Sequence, residues 1–282
     1  MNGSDKRLTP ARSDLAASSL RGKIDAPRYA DGVVMQVIDV SAPLWNAPTS
    51  EAALDTEALH GERVTVYEET DEGWSWGQLV RDGYVGWLPS NALAKESAAS
   101  THRVRALRTF VFSKPDIKSP PIAALSFGSE FSATREEGDF ALAANGGFIP
   151  KQHVAANDFR ESDPVEVARR FLGTPYLWGG KTSAGLDCSG LVQLALQSTG
   201  LECPRDSDMQ QKIGSAVSFS GGEGILTRGD LIFWKGHVGF YAGEGKLLHA
   251  NAFHMAVAEE PLGDAIERIR ASGSDVLEVR RL

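Results

Sequence analysis

Three residues of this 282-residue chain have the types and the order that nucleophilic acyl transfer needs: Cys188 in LDCSGLVQLAL, His237 in GHVGFY and His249 in LLHAN. A thiol nucleophile needs a base to take its proton and a third group that holds the base in one tautomer. The pattern around Cys188 predicts a helix over 187–199, with Leu191, Val192, Leu194 and Ala195 facing inward and Gly200 as terminator. The first-turn N–H groups of a helix are unsatisfied and its dipole is positive there. That position is expected to favour a thiolate and to offer amides to an oxyanion. A lone cysteine is more often a small core residue, and it is the histidines that change this balance. HVGFYAGEGKLLHA reads as a hairpin turning at 242–244. Centred on Gly243, it sets Tyr241 opposite Gly245, Gly239 opposite Leu247 and His237 opposite His249, with both imidazoles on one face. Cys188, His237 and His249 could also supply three ligands to zinc, but no CxxC or HxxxH spacing accompanies them, so no metal and no cofactor is expected. His254, His60, His102 and His153 read as surface or structural residues, and Cys203 as a structural thiol.

Positioning these groups requires a mixed α and β domain over 160–282. ESDPVEVARRFLG punctuates a helix: Asp163 caps, Pro164 takes the first helical position, Glu166 has capping-box spacing and Gly173 ends it. A third helix is expected from Ser207, where SDMQ repeats that spacing. DLIFWK, HVGFY, KLLHA and VLEVRRL read as strands.

Residues 31–95 read instead as short strands between Gly and Asp turns, in VMQVIDV, ERVTVYEE, WSWGQLV and GYVGWLP. KESAAS over 95–100 is a linker by composition. Residues 101–156 repeat the pattern, LSFGSEFSATREEGDF against LHGERVTVYEETDEGW and GGFIPKQHV against GYVGWLPSNAL, so two copies of one β module are expected. Residues 1–30 read as a short helical lead or a loose arm.

Hydrophobic residues make up 42% of the chain and charged residues 23%, which is globular composition, and the formal net charge of −8 argues against a nucleic-acid partner. No run of about 18 apolar residues is present, so no membrane partner is expected. The first twenty residues lack the apolar core of a secretory signal, and two cysteines make no disulfide framework, so a cytoplasmic location is expected. GxxxxGK[ST] is absent, Gly179 and Gly180 read as a tight turn, and Trp74, Trp76 and Trp87 read as module core or groove.

TPYLWGGKTSAGLDCSGLVQLAL, GDLIFWKGHVGFY and LLHAN, in that order, resemble the nucleophile and histidine segments of NlpC-type cysteine peptidases, a papain-like family of cell-wall hydrolases. GYVGWLP resembles the closing strand of bacterial SH3-like domains. The resemblance implies an α+β chain of two SH3-like barrels, 31–95 and 101–156, before a papain-like domain over 160–282. It implies His249 as the orienting third residue and Tyr176 as a donor near the oxyanion. Two SH3-like modules before such a domain resemble the murein-recycling γ-D-glutamyl-L-diamino-acid endopeptidases, which cut stem peptides that begin with free L-Ala. That likeness implies Asp187, Ser189 and Ser207 as holders of the L-Ala amine and the γ-D-Glu carboxylate. It further implies Glu62 and Tyr84 of the first module as caps on the cleft, with Glu68 and Glu69 as nearby alternatives to Glu62. A buried ammonium needs carboxylate partners, which Asp187 and one glutamate would supply.

The expected partner is therefore a small murein-derived peptide. Two rivals stay open: a general peptidoglycan hydrolase or amidase on the same scaffold, and a wall-peptide-binding protein that uses its SH3-like modules.

Overall fold

Short strands separated by glycine turns cannot bury two faces each, so they close on one another around small cores. The computed structural model describes residues 5–95, 98–219 and 225–282. The chain divides into two units, Met1–Phe159 and Arg160–Leu282.

In the first unit one seven-stranded sheet runs in the order Leu54–Leu59, Ser41–Trp45, Val85–Pro89, Trp74–Leu79, Arg63–Glu69, Val33–Val37 and Leu93–Lys95. Alternation buries Ala42 and Leu44 on one strand and Gly86 and Leu88 on its neighbour. Val37, Leu44, Val64, Leu79, Tyr84 and Leu88 share one core. A separate β module follows, a five-stranded and a three-stranded sheet around Val104, Val111, Leu125, Phe131 and Ile149. The repeat seen in the sequence has a backbone counterpart. Val85–Pro89 leads through a 3₁₀ turn at Ser90–Ala92 into Leu93–Lys95, and Phe148–Pro150 leads through Lys151–His153 into Val154–Ala156. Glu96 and Ser97 of the expected linker lie outside the described residues.

From residue 5 onward the N-terminal segment is ordered by short strands and one 3₁₀ turn at Ser18–Leu20, with no α-helix. Leu15–Ala17 pairs in parallel with Arg28–Ala30, and Leu15, Ala16 and Ala17 are buried. The Arg12 guanidinium stands 4.8 Å from the ring centroids of both Trp76 and Trp87 and pairs with Asp14 and Glu68. Cation–π contact and ion pairing hold an extended chain where the sequence offers no helical stripe.

The second unit is a six-stranded antiparallel sheet in the order Ser215–Val217, Glu278–Arg281, Leu231–Trp234, His237–Gly243, Lys246–Asn251 and Ala256–Pro261. Helix α1 (Pro164–Arg169) is capped by Asp163, whose carboxylate accepts from the amides of Val165 and Glu166. It packs on α2 (Cys188–Ser198), which in turn lies against the two histidine-bearing strands. α3 (Ser207–Gln210) does not close the expected capping box. The Gln210 amide donates instead to the carbonyls of Ser189 and Pro204, because those buried acceptors outbid a local cap. The strand Ala256–Pro261 and α4 (Leu262–Ala271) extend the domain beyond the sequence reading, although Leu262, Ala265, Ile266 and Ile269 carry a helical stripe that packs on the core. No described helix is long and apolar enough to cross a membrane.

Candidate active site

Asp187 ends an extended segment and caps α2, so Cys188 becomes its first residue. One Asp187 oxygen accepts from the Gly190 amide at 2.7 Å. Gly190 must be glycine here, since a Cβ would come within 2.5 Å of the Gly180 carbonyl oxygen. Tight approach of the 179–180 turn thus fixes the start of the nucleophile helix. Cys188 is 6% exposed, and its sulfur lies 4.0 Å from the Gly236 carbonyl oxygen. The amides of Val238 and Ser189 also donate to it. The sulfur is therefore bracketed by the backbone on both sides of His237.

Burial in the resting site works against the expected thiolate. Burial and then the Asp187 charge push the Cys188 thiol up to about 12, against the two amides. Burial, helped by His249 and Arg268, pushes His237 down to about 3. Both directions favour a neutral thiol beside a neutral imidazole at rest, with proton transfer accompanying attack of the sulfur.

The histidine hairpin is tighter than expected. Glu244 and Gly245, both at positive φ, form the turn, and a bulge follows Tyr241. Phe240 pairs with Leu248 and Tyr241 with Leu247, which slides the register two residues from the expected one. A slide of two preserves parity, so His237 and His249 still share a face. They meet on the diagonal, with His237 Nε2 2.7 Å from His249 Nδ1. Gly239 leaves the space for this, because a Cβ there would stand 3.0 Å from His249 Cβ. Trp234 backs the His237 ring at 5.7 Å.

Two further residues complete the array. His249 Nε2 lies 2.7 Å from Glu260 Oε1, and the Arg268 guanidinium holds both Glu260 oxygens, one at 2.7 Å. Sequence reasoning missed Glu260 and Arg268 because it missed the strand and helix that carry them. His249, His254 and Glu260 place ligand atoms within 4.8 Å of one another, but the carboxylate is already engaged by Arg268 on both oxygens. The array has the character of an ion-paired relay rather than of the three-ligand Cys–His–His zinc set weighed from the sequence.

The remaining expected site residues divide. Tyr176 is partly buried, and burial, reinforced by the Asp187 carboxylate, raises its hydroxyl pKa, so it stays a donor. Ser207 opens α3, partly exposed. Asp187 and Ser189 are claimed by Arg205, a buried residue the sequence reading passed over. Its guanidinium donates to the two Asp187 oxygens at 2.9 and 2.7 Å and to Ser189 Oγ at 2.8 Å. The Gly179 amide takes a further position on Asp187, at 2.9 Å. Arg205 neutralises the Asp187 charge, and with the two amides it fills hydrogen-bonding positions from inside the protein, which weighs against the expected amine-binding role. Glu62 is 2% exposed and paired with Arg81 at 2.6 Å, and Tyr84 is 4% exposed in the core of the first module. A cavity of about 230 Å³ opens beside the imidazoles, lined by His237, His249, Asn251, Phe253, Arg268 and Ser272 among others.

Residues 44–93 match the bacterial dipeptidyl-peptidase Sh3 domain, and residues 173–267 match the NlpC/P60 family. A γ-D-glutamyl-L-lysine dipeptidyl-peptidase of Bacillus subtilis is 30% identical over 236 residues, 71% of this chain and 73% of the relative. One of the same name from Bacillus cereus is 28% identical over 285 residues, 88% and 82% of the two chains. The crystal structure of an NlpC/P60 family protein from Bacillus cereus superposes with a TM-score of 0.74 at 24% identity, covering 88% of this chain and 99% of that one.

Proposed function

The chain belongs to the NlpC/P60 family of cysteine peptidases, and from that premise we propose that it cleaves the γ-D-Glu–L-diamino acid bond of murein stem peptides with a free N-terminal L-Ala. The observation that carries this reading is the Cys188–His237–His249 array at the start of a buried helix. The two Bacillus relatives, both γ-D-glutamyl-L-lysine dipeptidyl-peptidases, support the bond class.

In the proposed reaction the Cys188 sulfur attacks the γ-carbonyl while its proton passes to His237 Nδ1. The amides at the start of α2 and the Tyr176 hydroxyl receive the oxyanion. Collapse expels the diamino acid, whose amine takes the proton back from His237. Water then attacks the thioester, with the same imidazole as base. Ser207 is assigned to the D-Glu carboxylate, and the cavity beside the imidazoles to the leaving diamino acid. Asp187, Ser189 and Arg205 hold the nucleophile helix rather than the substrate.

Around this site we assign residues 101–156 as a second SH3-like copy, which the shared strand–3₁₀–strand ending supports. The proposed setting is the cytoplasm, with a small murein-derived peptide as partner and neither nucleic acid nor membrane.

Mass spectrometry of L-Ala-γ-D-Glu-diaminopimelate, beside its N-acetylated form, tests the reading. Release of L-Ala-γ-D-Glu from the free-amine peptide alone is expected. Equal cleavage of both peptides would overturn the free-amine specificity, and cleavage of neither would overturn the substrate assignment.

A further inference from the structure

We propose that Glu260, held as an anion by Arg268, is the positioning residue that sets the tautomers of both histidines and so leaves His237 Nδ1 as the base facing Cys188. The inference rests on the peptidase reading but is readable without a substrate.

The chain of donors and acceptors admits one consistent filling. Glu260 Oε1 meets His249 Nε2 at 2.7 Å, and an ionised carboxylate only accepts, so His249 carries its proton on Nε2. Arg268 donates to both Glu260 oxygens. Burial alone would raise the Glu260 pKa, yet the hydrogen bonds from His249 and Arg268 bring it to about 2, so the anion persists at neutral pH. Burial favours the neutral form of His249 as well, against the pull of Glu260. A neutral His249 protonated on Nε2 has a bare lone pair on Nδ1. That lone pair faces His237 Nε2 at 2.7 Å and must accept from it. His237 is then protonated on Nε2 and bare on Nδ1, its one remaining ring nitrogen. Its neighbours Gly236 and Val238 bracket the Cys188 sulfur with their backbone. One carboxylate two imidazoles away thus decides whether the base can accept a proton.

Glu260→Gln separates this role from a structural one. Glutamine has one acceptor oxygen where Arg268 and His249 together engage two, and with its NH₂ group in the Oε1 position it turns a donor toward His249 Nε2. His249 must then carry its proton on Nδ1, and His237 must carry its proton on Nδ1 against the thiol. Shape and packing stay close to those of the parent. The expected loss in kcat is about 100-fold or more, with KM within a few-fold, by analogy with triads held in the wrong tautomer. Glu260→Asp keeps the anion and is expected to recover part of the rate.

Three readouts stand apart from one another. Long-range ¹H–¹⁵N correlation of labelled histidines, assigned with His237→Ala and His249→Ala, is expected to show both neutral rings protonated on Nε2 in the parent and on Nδ1 in Glu260→Gln. In a Cys203→Ser background, iodoacetamide is expected to alkylate Cys188 at least about tenfold more slowly at pH 7.5 in Glu260→Gln, since the base can no longer assist. Turnover of the wall peptide is the third. Unchanged tautomers, or parental alkylation and turnover in a folded Glu260→Gln protein, would overturn the proposal. Failure of the peptide as a substrate for the parent would strike the function alone, because the spectra and the alkylation rates need no substrate.

Discussion

At the scale of single residues the site is a row of groups kept neutral by burial and ended by one fixed ion pair. His237 sits far below the ordinary histidine value because charging it would strand a cation away from water. Stability against acid follows from that. Unfolded His237 binds a proton below about pH 6.5, whereas in the folded chain it stays neutral down to about 3. Glu260 likewise is held at about 2, below its ordinary 4.5. In both windows the unfolded chain binds more protons, so stability is full above about pH 6.5 and falls as pH drops. The melting temperature is therefore expected to decline from pH 6.5 to 4.5, before ordinary carboxylates titrate. His237→Ala is expected to flatten that part of the curve even if it lowers the whole. Equal slopes in parent and variant, measured by calorimetry, would show that His237 is not the group being charged.

At the scale of elements, two devices aim the chemistry. One is the cap at Asp187, locked from behind by Arg205 at 1% exposure, which fixes where α2 begins. Burying such a pair is justified only when every donor and acceptor is met, as the five contacts to Asp187 and Ser189 arrange. The other is the hairpin, whose bulge and Gly239 bring two imidazoles together on the diagonal. Gly239→Ala should push His249 aside, since Leu247 Cδ1 at 2.8 Å and His249 Cβ at 3.0 Å would meet the new methyl. Its kcat is expected to fall roughly 10- to 100-fold while KM holds, because misplacement of about 1 Å is costly in an oriented site. Parental kinetics in this variant would show that the strand has slack. The helix of Cys188 and the face shared by the histidines were legible in the sequence, because capping residues and period-two alternation are local signals. The register was not, because a bulge after Tyr241 changes the pairing and leaves alternation intact. Glu260 and Arg268 lay in a segment whose stripe, Leu262 to Ile269, was present but followed a strand of mixed polarity, AVAEEP, that gave no alternation to announce it.

At the scale of the whole molecule, the chain joins β modules with small cores of their own to one α+β domain that holds Cys188, His237 and His249. The domain order was legible from composition and repeat. The fate of residues 5–30 was not, because Arg12 finds its place only when Trp76 and Trp87 have been brought side by side by neighbouring strands. Long-range partners of this kind, like Arg205 for Asp187, leave no mark at the positions that await them. The most direct test of the whole account is acid quenching during turnover of L-Ala-γ-D-Glu-diaminopimelate, followed by peptide mapping of the protein by mass spectrometry. The account predicts an L-Ala-γ-D-Glu thioester on the peptide that contains Cys188, and none in Cys188→Ala. Turnover by Cys188→Ala, or an acyl group on Cys203 in its place, would contradict it.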